Sequence, residues 1–260
     1  MRLCIIGHPI SHSMSPSIYG RFFEAMNIDA TYEAVDIDPN EFSTKIVSII
    51  QHFDGFNVTI PFKERIVPHI VSQVEPPLLA VNCIFQGRGY NTDWIGFGKP
   101  LQRRPIEEPV MIIGAGGAAR AVVFYLKRAG VKNIQIVNRT LSRAEKIKEE
   151  FEVSGNLEVN VFPLESIREV AAKSKSIVNA SSLGINGEDT GITAEELSGK
   201  SLVYDLIYWK TPLIESSRRC EVKTVLDGRH MLLHQAMENL RIWGVPSGES
   251  FEKTFWEVMK

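Results

Sequence analysis

A glycine cluster that follows a short apolar run has the residue types and spacing of a phosphate-binding turn. The apolar run is Val110–Ile113, the cluster occupies 114–117, and a helix-forming segment follows from residue 118 to about 129. This order predicts a strand, a tight turn and a helix whose first N–H groups can bind a pyrophosphate. We therefore predict a nucleotide site, with an ordinary structural turn as the alternative. The residues predicted to contact the nucleotide are Gly114, Ala115, Gly116, Gly117, Ala118 and Ala119.

The residues after the next apolar segment distinguish NADP from NAD. Segment 134–137 predicts a strand, and Asn138, Arg139 and Thr140 follow it, with Arg143 one helical turn further on. An NAD site usually has Asp or Glu at this strand end, where the carboxylate binds the ribose 2′-hydroxyl. A guanidinium can instead bind the 2′-phosphate of NADP through two hydrogen bonds. We therefore predict NADP; the alternative is that both arginines are solvated residues at the start of a helix over 142–150.

Two serines near the beginning of the chain can form an anion pocket. Ser15 precedes Pro16, a pair that is typical of a helix start with serine as the N-cap and proline as the first helical residue. This structural role explains Ser15 without any ligand, but it does not explain Ser13. Together with the N–H groups of the helix start, the hydroxyls of Ser13 and Ser15 can bind a carboxylate.

A polar cluster lies at the end of a predicted strand over 56–60. Alternation places Asn57 and Thr59 on one face of this strand, away from Val58 and Ile60. Lys63 lies just beyond the strand, at the carboxyl end where open α/β sheets bind ligands. The alternative is that Lys63 is an ordinary solvated lysine.

Another polar cluster follows a predicted strand over 80–83. Asn82 lies within this apolar run, and a buried amide needs hydrogen-bond partners. Asp93 follows in segment 90–96, where it can contribute a carboxylate to a site or simply cap the next helix. Both side chains are therefore candidates for a polar site at strand ends.

The composition predicts a soluble globular protein that binds neither nucleic acid nor membranes. Of the 260 residues, 44% are hydrophobic and 23% are charged, and the net charge is −2. No basic run and no apolar segment of about 18 residues is present. Three widely spaced cysteines indicate a reducing, cytoplasmic setting. The pairs His8/His12 and His230/His234 have the spacing of helical metal ligands, but Pro9 interrupts the first and neither has a zinc-protease glutamate, so we predict no metal.

The elements that must position these residues alternate between strands and helices. The pattern predicts strands ending near Ile6, over 31–37 and over 56–60, with helices from Pro16 and over 39–51 between them. Such alternation predicts an α/β fold with a mostly parallel sheet covered by helices on both faces. Segment 96–109 contains glycines, prolines and mixed charges, and we predict that it links this unit to a second α/β unit beginning near Val110.

Eight motifs, in this order, resemble those of the shikimate dehydrogenase family. They are Ser-His-Ser-x-Ser-Pro at 11–16, Asn-Val-Thr-x-Pro-Phe-Lys-Glu at 57–64, Asn-Thr-Asp-x-x-Gly at 91–96, Gly-Ala-Gly-Gly-Ala-Ala-Arg at 114–120, Asn-Arg-Thr at 138–140, Asn-Ala-Ser-Ser-x-Gly at 179–184, Tyr-Asp-Leu-Ile-Tyr at 204–208, and Asp-Gly-x-x-Met-Leu-x-x-Gln-Ala at 227–236. Several of these motifs are weak individually, but their common order is highly specific and covers nearly the full length.

The resemblance implies reversible reduction of 3-dehydroshikimate to shikimate by NADPH, in aromatic amino acid (chorismate) biosynthesis. It implies two α/β domains with a cleft between them: a substrate-binding catalytic domain over 1–100 and 228–260, and a Rossmann NADP-binding domain over 101–227. Members of the family occur as monomers and as homodimers. Shikimate or 3-dehydroshikimate is the expected small-molecule partner.

The resemblance also implies a role for each matching residue. Lys63 and Asp93 match the catalytic acid/base pair, and either can carry the proton. The residues that match the substrate site are Ser13, Ser15, Asn57, Thr59, Lys63, Asn82, Asp93, Tyr208 and Gln235. The residues that match the cofactor site are 114–119, Asn138, Arg139, Thr140, Arg143, Ser181, Ile207, Gly228 and Met231.

Three positions depart from the pattern of the family. Cys83 and Ser181 stand where threonine is common, and His230 stands where glycine usually precedes Met231. His230 can crowd or polarise the nicotinamide end. The alternatives are a quinate/shikimate dehydrogenase of broader cofactor use and a non-catalytic NADP-binding regulatory protein on the same fold.

Overall fold

The computed structural model of the chain describes residues 1–153 and 155–260. The chain forms two compact units: the first contains Met1–Thr92 with Gln235–Lys260, and the second contains Asp93–His234. These bounds differ from the predicted positions at 100/101 and 227/228 by several residues at each crossing.

The first unit is built on a mixed six-stranded sheet. Its strands are β1 (Arg2–Gly7), β2 (Thr31–Asp36), β3 (Gly55–Val58), β4 (Val71–Ser72), β5 (Cys83–Phe85) and β6 (Arg88–Tyr90), in the order β2-β1-β3-β5-β6-β4. Three pairings are parallel (β1 with β2, β1 with β3, and β4 with β6), which agrees with a mostly parallel sheet. The pairings of β5 with β3 and with β6 are antiparallel, a feature that the alternating pattern does not predict.

Helices cover both faces of this sheet. Helix α1 spans Ser15–Ala25 and α2 spans Phe42–His52. Helix α2 packs Phe42 and Ile46 against Phe56 and Val58 on one face. On the other face, Tyr19 of α1 stacks on Tyr32 with ring centroids 4.5 Å apart.

Two strands of the first unit are shorter than the sequence predicts. β3 ends at Val58 instead of residue 60, because the chain turns there and Phe62 N–H donates to the Thr59 carbonyl. Alternation therefore does not extend to Ile60, whose side chain is 66% exposed. The predicted strand over 80–83 is also wrong: β5 begins at Cys83, and Asn82 lies just before it.

The second unit is an open parallel sheet in the Rossmann strand order. Its strands are β7 (Val110–Ile113), β8 (Asn133–Asn138), β9 (Glu158–Pro163), β10 (Ser176–Asn179), β11 (Leu202–Asp205) and β12 (Val225–Leu226). The order is β12-β11-β10-β7-β8-β9, and all five pairings are parallel. The order reverses between β7 and β10, and open α/β sheets bind ligands beyond the carboxyl ends of the strands at such a point.

The remaining helices complete both units. They are α3 (Asp93–Gly98), α4 (Gly117–Arg128), α5 (Leu141–Glu152), α6 (Ile167–Lys173), α7 (Ala194–Leu197), α8 (Pro212–Arg219), α9 (Gly228–Ile242) and α10 (Glu249–Val258). Short 3₁₀ turns occupy Val67–His69, Lys99–Leu101 and Leu164–Ser166. Within the described residues, no helix is both long and apolar enough to cross a membrane.

The predicted linker over 96–109 is wrong in its first part, which belongs to the second unit. Phe97 on α3 is fully buried, stacks on Tyr204 at 5.0 Å and meets Tyr125 of α4 edge to face. A Cβ on Gly98 would lie 1.9 Å from the Tyr125 ring, so glycine allows the close approach of the two helices. The apolar side chains of this segment therefore outweigh its linker-like composition.

Candidate active site

The glycine turn lies at the point where the strand order of the second unit reverses. Gly114 follows β7 with φ of +108°, a conformation that favours glycine. A Cβ at this position would lie 3.0 Å from the Ala180 carbonyl oxygen and 3.0 Å from Ser181 Cβ. Gly116 is the N-cap residue of α4, and a Cβ there would have no heavy atom within 4 Å apart from its chain neighbours. Gly114 therefore serves the local packing, whereas Gly116 faces open space.

The predicted helix and strand around this turn are confirmed to within a residue or two. α4 begins at Gly117, and Ala119 is fully buried, which permits the close packing predicted for a small residue there. Among the described residues, neither Arg139 nor Arg143 forms an ion pair, and both side chains are exposed just after β8. Asn138 at the end of β8 donates to the Thr140 carbonyl at 2.8 Å and so shapes the turn into α5.

A buried carboxylate organises the two loops that follow β10 and β11. Asp205 accepts hydrogen bonds from Asn179 Nδ2 at 3.0 Å, from Ile207 N–H at 3.1 Å and from the Thr211 hydroxyl at 2.7 Å. Asn179 Oδ1 in turn accepts from the backbone N–H and the hydroxyl of Ser181. These contacts join the Ser181 loop to the Ile207 loop at the carboxyl ends of neighbouring strands.

Burial raises the pKa of Asp205 to about 6, although the hydrogen bonds from Thr211, Ile207 and Asn179 oppose the shift. A carboxyl with a raised folded-state pKa binds a proton more tightly in the folded state than in the unfolded state. Stability therefore falls as pH rises from the unfolded pKa near 4 through about 6. Above about pH 6 Asp205 is ionised, and its contribution to the free energy of unfolding is then about 3 kcal/mol less favourable than at low pH, where it is protonated.

We expect Asp205→Asn to flatten the dependence of stability on pH between about pH 4 and pH 7, because the neutral amide has no ionisation cost. Urea unfolding at several pH values measures this slope. Glu149→Gln, which removes an exposed carboxylate of the same unit, is the matched control and should keep the wild-type slope. An unchanged slope in Asp205→Asn would show that Asp205 does not titrate in this range.

The loop after β11 and the start of α9 pack tightly together. A Cβ on Gly228 would lie 2.1 Å from the Leu206 carbonyl oxygen, and Gly228 N–H donates to the Ile207 carbonyl at 3.0 Å. Met231 is buried on the first turn of α9. The structure thus places Ile207 and Gly228 side by side, while Tyr208 follows half-buried in the same loop.

His230, which departs from the pattern of the family, is half-buried on the first turn of α9. Burial lowers the pKa of His230 below its ordinary value, although Asp227 opposes this shift. Elsewhere, His8 of the other histidine pair hydrogen-bonds the Asp36 carboxylate at 2.6 Å. Within residues 1–153 and 155–260, no three His, Cys, Asp or Glu side chains are grouped as metal ligands.

In the first unit, the structure corrects the capping role predicted for Ser15. The N-cap residue of α1 is Met14, and Ser15 is already helical, with Pro16 after it. Ser15 is buried, its N–H donates to Ser13 Oγ at 3.4 Å, and its side chain hydrogen-bonds Tyr32. The two serines therefore lie together, and tertiary contact with Tyr32 replaces the local cap.

A buried hydrogen-bond network connects the amides of the first unit. The Tyr32 hydroxyl donates to Asn57 Oδ1 at 2.7 Å, and Asn57 Nδ2 donates to the Asn82 carbonyl at 2.9 Å. Asn82 holds Thr92 through two bonds, because Oδ1 accepts from Thr92 N–H at 2.6 Å and Nδ2 donates to Thr92 Oγ1 at 2.9 Å. Burial raises the pKa of Tyr32 well above its ordinary value, so its hydroxyl stays a donor.

Helix α9 contributes two amides to the same network. The Thr92 hydroxyl donates to Asn239 Oδ1 at 2.7 Å. Asn239 Nδ2 donates to Gln235 Oε1 and to the Tyr19 hydroxyl, both at 3.0 Å. Gln235, a predicted substrate residue, is therefore held one helical turn from Asn239 and next to Thr92.

The chain next to Lys63 and the chain next to Asp93 are both bonded to the segment Val81–Asn82. Phe62 is fully buried and stacks on Phe42 at 4.4 Å, which anchors the turn that carries Lys63. The Lys63 carbonyl accepts the N–H of Val81 at 2.8 Å, directly before Asn82. Asp93 is buried, begins α3 and directly follows Thr92, the residue that Asn82 holds.

Thr59, the remaining predicted residue of this cluster, lies in the turn after β3. Its N–H donates to the Ile6 carbonyl at 2.9 Å, and its carbonyl accepts from Phe62 N–H. A Cβ on Gly7 would lie 2.5 Å from Thr59 Cγ2, so glycine at the end of β1 leaves room for this side chain. The structure thus brings Thr59 next to the end of β1 and half-buries it.

Seven residues of these networks were not among the sequence candidates: Tyr19, Tyr32, Thr92, Asn179, Asp205, Thr211 and Asn239. Thr92, Asn179 and Asp205 stand inside the recognised motifs, so the motifs themselves could have indicated them. Asn239 is one of several polar residues on α9 and lies one turn after Gln235, which is a weak signal. The two tyrosines have no local signal, because a buried tyrosine is usual in an aromatic core.

Comparison with known proteins places the chain in one family. A family model for the shikimate dehydrogenase substrate-binding domain matches residues 5–84, and a model for shikimate/quinate 5-dehydrogenase matches residues 102–188. The chain is 43% identical to the shikimate dehydrogenase (NADP(+)) of Thermotoga maritima over 261 aligned residues, which cover 100% of both chains.

Solved structures agree with this relationship. The crystal structure of shikimate dehydrogenase from Thermotoga maritima matches with a TM-score of 0.92 and 42% identity over 100% of both chains. The shikimate 5-dehydrogenase of Thermus thermophilus, in complex with NADP(H) and shikimate, matches with a TM-score of 0.83 and 29% identity over 99% of both chains. The order of elements, the Rossmann strand order and this full-length similarity together show that the chain belongs to the shikimate dehydrogenase family.

Proposed function

We propose that this chain is an NADP-dependent oxidoreductase that interconverts 3-dehydroshikimate and shikimate. Its full-length similarity to NADP-dependent shikimate dehydrogenases supports this activity. The position of the reaction in aromatic amino acid biosynthesis follows from the substrate. We propose that the first unit binds the substrate and that the second unit binds NADP.

The observation that supports the proposal most directly is that the segment Val81–Asn82 is bonded both to the backbone of Lys63 and to Thr92, the residue before Asp93. The Lys63 carbonyl accepts a hydrogen bond from Val81 N–H. The next residue, Asn82, hydrogen-bonds Thr92, which directly precedes Asp93 in the chain. A lysine and a carboxylate held by neighbouring residues match what an acid/base pair requires, because both groups must reach one reacting oxygen.

The other predicted substrate residues supply the groups that a hydroxylated ring with a carboxylate needs. We propose that Ser13 and Ser15 bind the carboxylate, with Tyr208 assisting. The residues proposed to bind the ring hydroxyls are Asn57, Thr59, Asn82, Asp93 and Gln235. The Tyr32 and Asn82 contacts set the orientation of the Asn57 amide, so its remaining N–H and lone pair have defined directions.

The second unit has the features that NADP requires. The open space at Gly116 allows a pyrophosphate to approach the start of α4. The exposed arginines 139 and 143 follow β8, where a 2′-phosphate would lie, and the first turn of α5 contains no acidic residue. We propose that Asn138 and Thr140 complete this end, and that Ser181, Ile207, Gly228 and Met231 line the nicotinamide end.

NADPH supplies a hydride when it is bound; the chain must orient the substrate and move one proton. Negative charge develops on the carbonyl oxygen of 3-dehydroshikimate as the carbonyl is reduced. The Lys63 ammonium stabilises this charge, and the Lys63/Asp93 pair delivers the proton that makes the hydroxyl. In the oxidative direction, the same pair accepts the hydroxyl proton.

We expect two glycines of the same turn to respond differently to substitution. Gly116→Ala should leave the apo melting temperature unchanged but weaken NADP⁺ binding by about tenfold or more, because the new methyl group enters the pyrophosphate space. Gly114→Ala should lower the free energy of unfolding by about 1–3 kcal/mol even without ligand, because of its positive φ.

Thermal melts of both variants, with and without NADP⁺, separate the two effects. Gly130→Ala is the matched control: its φ is also positive, at +86°, but its Cβ would meet nothing within 4 Å. Gly130→Ala should therefore lose stability because of its positive φ alone, whereas Gly114→Ala also suffers the close contacts of the new Cβ. Unchanged NADP⁺ binding by Gly116→Ala would place the pyrophosphate elsewhere.

The activity is tested by the ultraviolet absorbance of NADPH formed from NADP⁺ and shikimate. We expect turnover with this pair and much slower turnover with quinate or with NAD⁺. Comparable rates with quinate and NAD⁺ would favour a quinate/shikimate dehydrogenase of broader cofactor use. NADP⁺ binding without turnover would instead indicate a regulatory protein on the same fold.

We also propose a cytoplasmic location and a monomer or homodimer. The location is supported by three free cysteines, two of them buried at Cys4 and Cys83, which fit a reducing compartment. Light scattering of the purified chain distinguishes the two oligomeric states.

A further inference from the structure

The chain passes between its two units twice. The residues of the first unit at these two crossings are hydrogen-bonded to each other. The first crossing follows Thr92, and the second precedes Gln235. Thr92 Oγ1 lies 2.7 Å from Asn239 Oδ1 and 3.5 Å from Gln235 Oε1, although 147 and 143 residues separate these partners along the sequence. A single buried threonine thus joins the end of one segment of the first unit to the beginning of the other.

Every hydrogen-bonding group on the side chain of Thr92 is engaged. Its hydroxyl accepts from Asn82 Nδ2 and donates to Asn239 Oδ1, while its backbone N–H donates to Asn82 Oδ1. The side chain is fully buried, so water does not compete for these bonds. Thr92 therefore has one defined position relative to Asn82 and α9.

The orientation of Asn239 is also determined. The Tyr19 hydroxyl donates to the Ala236 carbonyl at 3.4 Å, so it accepts from Asn239 Nδ2. Gln235 Oε1 accepts from the same nitrogen. Asn239 Oδ1 then faces Thr92, because a flipped amide would bring Oδ1 against Gln235 Oε1, another acceptor.

We propose that Thr92 and Asn239 are positioning residues for Asp93. The inference rests on the proposed function, in which Asp93 is one member of the acid/base pair. Asp93 is the next residue in the chain and the first of α3. The hydrogen bonds that hold Thr92 therefore fix the backbone position from which the Asp93 side chain extends. A displacement of about 1 Å at a reacting group can lower a rate by about a hundredfold, which makes such a clamp consequential.

A double-mutant cycle on kcat/KM for shikimate tests the proposal. It compares wild type, Thr92→Val, Asp93→Asn and the double variant, at saturating NADP⁺. Valine keeps the shape of threonine but loses the hydroxyl. We expect Thr92→Val to lower kcat/KM by about tenfold to a hundredfold in the wild-type background, but by less than about threefold when Asp93 is already Asn.

Two further variants separate positioning from general structure. Thr92→Ser restores the hydroxyl and should recover activity to within about threefold of wild type, if the hydroxyl carries the effect. Thr254→Val removes another buried hydroxyl of the first unit, one that donates to the Ser250 carbonyl, and should leave kcat/KM unchanged. If Thr92→Val does not fold, Asn239→Ala replaces it in the cycle, because it removes the Thr92 acceptor and keeps both Asn82 bonds.

The outcomes distinguish this inference from the proposed function. Equal losses from Thr92→Val in both backgrounds, or full activity of Thr92→Val, overturn the positioning role while leaving Asp93 in place. Full activity of Asp93→Asn overturns the role of Asp93 itself and, with it, the need to position it. The proposal is supported if Thr92→Val lowers kcat/KM in the wild-type background but hardly changes it in the Asp93→Asn background.

Discussion

Replacement of Lys63 by alanine should lower turnover by about two to four orders of magnitude, the range that general acid–base catalysis usually contributes. The variant loses the ammonium that we propose to stabilise the developing oxyanion and to take part in the proton transfer. The backbone of residue 63 should stay in place, because its carbonyl binds Val81 N–H and Phe62 anchors the turn. Affinity for shikimate should therefore change little, and steady-state kcat and KM measure the two effects separately.

Lys45→Ala is the matched control for this variant. Lys45 is an exposed lysine of the same unit that pairs with Glu41 on α2, so its loss removes a charge without touching the proposed site. Small primary amines added to Lys63→Ala should restore part of its turnover, since they supply the missing ammonium group. Turnover close to wild type in Lys63→Ala, without any added amine, would refute the role of Lys63.

Replacement of Arg139 by alanine should raise KM for NADP⁺ by about tenfold to a hundredfold and leave KM for NAD⁺ nearly unchanged. A hydrogen bond to a charged group contributes about 1.5–3 kcal/mol, and only NADP carries the 2′-phosphate. Arg139 forms no ion pair with any described residue, so its loss should not disturb the folded chain. Initial rates at varied concentrations of each cofactor measure the effect.

Arg103→Ala removes another exposed arginine of the second unit and controls for the general change in charge. It should shift KM for both cofactors little and equally. Equal weakening of NADP⁺ and NAD⁺ by Arg139→Ala would show that Arg139 contacts a phosphate common to both.

The cofactor turn was predictable because its signals are local. Glycine at 114, small alanine at 119 and the apolar strand before them belong to one continuous segment, and α4 begins within a residue of the predicted start. The prediction of NADP likewise rests on side chains that directly follow one strand. Motifs of this kind specify their own backbone, so sequence is sufficient to place them.

The network in the first unit was not predictable, because its contacts join distant parts of the chain. Tyr32 reaches Asn57 across 25 residues, and Thr92 reaches Asn239 across 147. Ser15 shows the same limit: local preference predicted an N-cap, but contact with Tyr32 places it inside the helix. Residues that position a site act through tertiary contacts, and the spacing of residues along the sequence does not predict which of them will be in contact.

The prediction of a linker over 96–109 was wrong in its first part for a related reason. Its glycines and prolines suggest an exposed connection, yet Phe97 finds a place between Tyr125 and Tyr204. Burial of such an aromatic side chain contributes about 1.5–3 kcal/mol, which favours packing of this short helix onto the second unit. The composition of a segment does not reveal the surface on which it packs.

The most direct test of the account is a crystal structure of the chain with shikimate and NADP⁺ bound. The account predicts that Lys63 Nζ lies within hydrogen-bond reach, about 2.6–3.2 Å, of the hydroxyl that is oxidised, with the Asp93 carboxylate beside it. A bound shikimate whose reacting hydroxyl contacts neither Lys63 nor Asp93 would contradict the assignment of the pair.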